Sequence, residues 1–157
     1  KEMHIHWIWR NWFNQFLVDY FRAFRGPIKM QVRMLFHESG GLRYAIRHLD
    51  SGSEHKKVTS MLLLLYSEAE LPYKARKKLE RYLRESRFSL AFIAYRLAAR
   101  FPSHEYKYFI IKKIAESDFL SQHSKYEITA EMKDWLNEHY AQTFQFFEGD
   151  EKTRNFL

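Results

Sequence analysis

LRYAIRHLDSGSEHKKVTSMLLLLYSE, residues 42–68, is the stretch that decides the fold. It reads as two helices, Leu42 to Asp50 and Ser53 to Glu68, joined by the turn Asp50-Ser51-Gly52. The same plan returns downstream, where Pro72 to Glu85 and Phe88 to Phe101 form a second pair around Ser86-Arg87. Pro72 and Pro102 each stand where a pair begins or ends, the place at which a missing backbone N–H does least harm. A third unit opens at Ser103, an N-cap residue, and runs to about Ser117. Its partner is expected from Thr129 to Phe147, after a polar loop containing Gln122, His123 and Ser124.

The ends of the three first helices align: Arg47-His48-Leu49-Asp50, Arg81-Tyr82-Leu83-Arg84 and Lys113-Ile114-Ala115-Glu116. Leu49 and Leu83 are 34 residues apart, and Leu83 and Ile114 are 31 apart. A period between about 30 and 40 residues in a helical chain is the signature of an α-solenoid.

Upstream, Ile5, Trp9, Trp12, Phe13, Phe16, Leu17, Tyr20, Phe21 and Phe24 recur at steps of three and four, one face of an amphipathic helix from Met3 to Arg25. Arg10, Asn11, Asn14, Gln15, Asp19 and Arg22 fill the other face, and Gly26-Pro27 stops this helix and starts a second, ended by Gly40-Gly41.

Composition narrows the class further. The 157 residues are 46% hydrophobic and 18% aromatic with only 5 Gly and 3 Pro, which argues against a turn-rich β protein and against disorder. One domain is expected, with 1–40 an N-terminal helical cap, 41–117 the hairpins and 118–157 a C-terminal helix and tail. Cys is absent, which excludes thiolate chemistry, disulfides and thiolate metal sites. The longest uninterrupted apolar run, Met61 to Tyr66, is too short to cross a bilayer. The expected location is cytoplasmic or membrane-proximal, and a start at Lys1 without Met is compatible with a fragment of a longer protein.

The segment Leu42-Arg-Tyr-Ala-Ile-Arg-His-Leu-Asp50, the helix Val58 to Tyr66 and the Ala-rich Phe88 to Phe101 resemble HEAT-like repeats over residues 41–117. The resemblance implies an all-α fold: a right-handed stack of antiparallel helical hairpins with the N-terminal aromatic helix as a cap. It also implies an extended binding surface rather than a catalytic pocket.

The net charge of +7 biases contacts toward acidic partners. Its densest cluster is Lys74, Arg76, Lys77, Lys78, Arg81, Arg84 and Arg87, an anion- or partner-binding strip that Arg96 and Arg100, or Lys112 and Lys113, extend. The aromatic helix offers a second contact if Trp7, Ile8 and Val18 remain exposed, either for a protein or for lipid headgroups. The His residues lack metal-ligand spacing, no nucleophile sits in an elbow or Gly-rich loop, and no cofactor, metal or catalytic residue is assigned. The leading expectation is a non-catalytic scaffold that binds a protein partner. A nucleic-acid binder is the alternative; HEAT-like alkyl-DNA glycosylases supply an analogy in which Asp134 and Trp135 would flank a base. A third is the domain of a membrane-associated protein, touching an anionic surface through its N-terminal helix.

Overall fold

A computed structural model describes residues 7–84 and 88–157, and every regular element among them is an α-helix: the protein is all-α. In chain order these are α1 (Trp7–Ala23), α2 (Gly26–Glu38), α3 (Gly41–His48), α4 (Glu54–Ser67), α5 (Tyr73–Tyr82), α6 (Phe88–Ala99), α7 (His104–Glu116), α8 (Gln122–Ala130), α9 (Lys133–Phe146) and α10 (Glu151–Phe156). The chain divides into two compact units, Lys1–Leu79 and Glu80–Leu157, with the division inside α5.

In the first unit α4 packs against α3 and α1, while α2 bridges α1 and α3. Met61, Leu63, Leu64 and Leu65 of α4 are all buried, which accounts for the unbroken apolar run there: this helix meets neighbours on most sides instead of presenting one stripe. Ser53 caps α4, its Oγ accepting from the Lys56 N–H, and Gly40 takes the left-handed conformation (φ 71°) that lets the chain turn from α2 into α3.

The orientation of α1 departs from the periodicity. Leu17, Val18, Phe21 and the polar Asn14 face inward, each no more than 1% exposed, whereas Trp9 (63%) and Trp12 (66%) point outward with Tyr20. Val18, a candidate surface contact, is therefore a core residue. Apolar side chains occupy more than half the circumference of this helix, so spacing alone cannot say which arc is the core. Leu17, Val18 and Phe21 pack into the first unit's core, and the larger rings follow one another along the helix: Trp12 stacks on Phe16 at 5.6 Å, and Phe16–Tyr20 (4.1 Å) and Tyr20–Phe24 (5.0 Å) are tilted pairs.

In the second unit α6 packs on α7 and α8, and α7 also meets α8 and α10. The small residues Ala91, Ala94, Ala98 and Ala99 are buried, so the neighbouring helices approach α6 closely. Helix α7 begins where expected, with Ser103 Oγ accepting from the Tyr106 N–H. The expected polar loop does not exist: Gln122, His123 and Ser124 form the first turn of α8, capped by Ser121, and the helix expected from Thr129 begins at Lys133. Of α8's apolar side chains only Ile128 is buried, so the amphipathic pattern that marks the other helices is missing there. The expected tail likewise contains α10, capped by Asp150, whose carboxylate accepts from the Thr153 N–H.

Candidate functional site

Of the basic strip on α5, the first unit carries Lys74, Arg76, Lys77 and Lys78. Lys74 and Lys77 are exposed, and Arg76 and Lys77 lie over the ring of the exposed Tyr73 at 5.9 and 5.6 Å. Lys78 is turned away from the strip: its Nζ pairs with Asp50 at 2.7 Å and donates to the Ile46 carbonyl at 3.1 Å, closing the end of α3. Arg81 and Arg84, in the second unit, are exposed, and Arg87 lies outside the described residues.

The expected extensions of the strip are committed elsewhere. Arg96 and Arg100 both grip the half-buried Glu131, Arg96 through Nε (2.9 Å) and Nη2 (2.6 Å) and Arg100 through Nε (2.7 Å) and Nη2 (2.7 Å). Lys112 approaches Glu116 and Asp150, and Lys113 approaches Glu116. Asp150 has its pKa lowered chiefly by the Thr153 backbone N–H, with Lys112 a further cause. This local pairing agrees with the charge count by unit. Residues 1–79 contain 14 Lys and Arg against 7 Asp and Glu, whereas residues 80–157 contain 12 of each, so the whole +7 resides in the first unit.

A small cavity in the first unit went unnoticed in the sequence. Asn11, Asn14, Tyr44, Ser53, His55, Lys56 and Thr59 line it, with a volume of about 90 Å³. Asn14 and Thr59 are its buried residues, Tyr44 and Lys56 are half-buried, and Asn11, Ser53 and His55 form an exposed rim. Tyr44 Oη donates to Asn11 Oδ1 at 2.8 Å, and the Arg10 guanidinium stands 5.9 Å from the centre of the Tyr44 ring. Neither Asn14 Oδ1 nor Asn14 Nδ2 meets a hydrogen-bond partner. No local motif marks this site, because its residues come from α1, α3 and the first turns of α4 and meet only once the helices pack.

The aromatic face of α1 is the third feature. Trp9, Trp12 and Tyr20 are exposed on it, and the neighbouring α2 exposes Ile28, Met30 and Met34. The side chains of Trp7 and Ile8 lie outside the described residues.

In the second unit, Trp135 stacks on His139 (5.0 Å, 12°) and meets the edges of His104 and Tyr108. A ring covered in this way is no open platform for a base, and Asp134 sits exposed in the first turn of α9. Lys107, buried beneath this cluster with Nζ 5.5 Å from the Trp135 ring, has its pKa lowered by burial, and it donates to Ala99 O at 2.9 Å. Among the described residues no three His, Asp or Glu side chains gather in a way that could hold a metal ion, and no helix is long and apolar enough to cross a membrane.

Comparison with family models, with curated proteins and with solved structures gives no match to this chain.

Proposed function

We propose that this protein is a non-catalytic, all-α binding module that docks an acidic macromolecular surface through its first unit, with a protein as the leading partner. The observation that carries this reading is the confinement of the entire +7 to residues 1–79, with Lys74, Arg76 and Lys77 presented beside an exposed Tyr73. Such a patch attracts carboxylate- or phosphate-rich surfaces over about a Debye length, and the tyrosine adds a contact that salt does not screen. The HEAT-like reading belongs to this proposal and rests on the 34- and 31-residue intervals and on the succession of short helices.

The test is fluorescence anisotropy with two acidic probes, a polyglutamate peptide and a DNA duplex, at about 50 and 200 mM salt. Expected are binding at the lower salt and its loss in the charge-reversed K74E/R76E/K77E variant with no change in Tm. Preference for the duplex with a steep salt slope transfers the reading to nucleic acid. Binding unaltered by the triple substitution removes the α5 strip.

A second reading has its own observation. Exposed Trp9, Trp12 and Tyr20 on a helix of a cationic unit suit the headgroup layer of an anionic bilayer. Co-sedimentation with vesicles containing phosphatidylserine, lost in W9S/W12S, is the expected result; equal sedimentation of that variant overturns it.

A further inference from the structure

The geometry points to a site for a tetrahedral oxyanion, a phosphate or the phosphate end of a monoester, in the cavity between α1, α3 and the start of α4. Its residues are not those of the α5 strip, and its test is independent of the docking reading.

Asn14 is the first reason. An amide buried to 1% exposure with neither atom bonded carries the uncompensated cost of its desolvation. Packing does not require it, since Leu17, Val18 and Phe21 on the same face are apolar. Asn14 lines a cavity whose other members are also polar, so the arrangement is a polar chamber rather than a defect in an apolar core.

The sign of the ligand follows from the lining. The seven residues include Lys56 and His55 and no carboxylate, and Arg10 stands over Tyr44 just outside. Glu54, the acidic residue of the first turn of α4, does not line the cavity. The N-terminus of α4 opens on it through Ser53, His55 and Lys56. A helix of 14 residues brings the positive end of its dipole there, which favours an anion and disfavours a metal cation. At the buried end of the cavity the lining residues Asn14 and Thr59 are of hydrogen-bonding type, and the half-buried Lys56 adds a positive charge to its lining.

Size sets the class. At roughly 10–15 Å³ for each water-sized group, 90 Å³ holds several oxygens but not a nucleoside or a sugar phosphate in full. The remainder of a monoester has to leave past Asn11, Ser53 and His55 at the exposed rim.

The experiment is thermal unfolding of the full chain titrated with inorganic phosphate, sulfate and glycerol 3-phosphate, with sodium chloride at matched ionic strength as the control. Phosphate and sulfate are expected to raise Tm saturably and chloride is not. Asn14→Leu, which fills the polar chamber, is expected to abolish the effect while keeping or raising the basal Tm. Lys56→Met, a half-buried change that leaves the core intact, is expected to weaken the apparent Kd about tenfold, the worth of one charge-assisted hydrogen bond. Stronger stabilisation by glycerol 3-phosphate than by phosphate identifies a monoester; equal or weaker stabilisation identifies the free anion. A rise in Tm that is the same for Asn14→Leu as for the wild type, or no rise beyond the chloride control, overturns the site.

Discussion

Lys107 Nζ donates to the carbonyl of Ala99, the last residue of α6, and Lys125 makes the same contact with Ala115 near the end of α7. In both cases the lysine follows an N-cap serine, Ser103 or Ser121, by four residues. The serine closes the start of the new helix and the lysine reaches back to close the end of the old one, so a short connection is satisfied on both sides.

A hydrogen bond from a charged donor contributes about 1.5–3 kcal/mol, so Lys107→Met is expected to lose about 2 kcal/mol in urea denaturation, whereas Lys112→Met, at the surface, is expected to lose almost nothing. The pH dependence has a definite sign. Burial lowers the Lys107 pKa from its ordinary 10.5, so the unfolded chain holds this proton more tightly than the folded one. This residue therefore contributes stability that increases as pH rises through the folded pKa toward 10.5, and Lys107→Met should lack that alkaline increment. An identical slope in both proteins would show that burial does not perturb the ammonium.

The serine–lysine pairs show what the sequence could and could not reveal. Helix type was legible nearly everywhere because α3, α4 and α6 combine clean turns with apolar periodicity. Ser103 was recognisable as a cap, yet the equivalent Ser121 was missed because the polar Gln122-His123-Ser124 behind it resembles a loop until its backbone bonds are seen. The α5 strip was visible as charge, but not that Lys78 is drawn to Asp50 or that Arg96 and Arg100 serve Glu131. Pairings between residues more than 25 positions apart, and a cavity assembled from three helices, exist only after packing. No local spacing encodes them.

Gly41 and Gly52 should respond oppositely to alanine. A Cβ at Gly41 collides with the Phe36 ring and stands 2.6 Å from the Phe36 carbonyl oxygen, a backbone atom that cannot step aside. Gly41→Ala is expected to cost about 1–3 kcal/mol. At Gly52 nothing lies within 4 Å and φ is ordinary, so Gly52→Ala should be neutral or stabilise by up to about 1 kcal/mol through the unfolded chain. Chemical denaturation of the two variants side by side is the measurement, and equal effects would contradict the close approach of α3 to Phe36.

Glu131 is the shared acceptor for two guanidiniums, and its side chain is only 12% exposed against 25% and 27% for Arg96 and Arg100. Glu131→Ala leaves two half-buried cations facing each other and should destabilise by about 2 kcal/mol, discounted from the 3–5 kcal/mol typical of a fully buried pair. Adding Arg96→Met to that variant should recover part of the loss, because one of the stranded charges disappears. A double variant no more stable than Glu131→Ala would mean that the arginines contribute through packing of their stems and not through the clamp.

The rotated core face of α1 gives the most direct test of the fold. If periodicity alone set its core face, Trp12 would matter more than Val18, since it carries far more apolar area. The structure reverses the order: Val18 is 1% exposed, whereas Trp12 is 66% exposed and stacks on Phe16. Val18→Ala is expected to cost about 2 kcal/mol, the lower end of the range for truncating a large aliphatic side chain in a core. Trp12→Ser should cost about 1 kcal/mol or less, the worth of one aromatic pair. Intrinsic fluorescence adds a second readout, because a tryptophan at the surface emits at long wavelength and is open to iodide or acrylamide. Losing Trp12 should therefore remove a readily quenched component while the midpoint of unfolding stays nearly in place. A large drop in stability from Trp12→Ser, together with tolerance of Val18→Ala, would rotate α1 by about a third of a turn and place the aromatic ladder in the core.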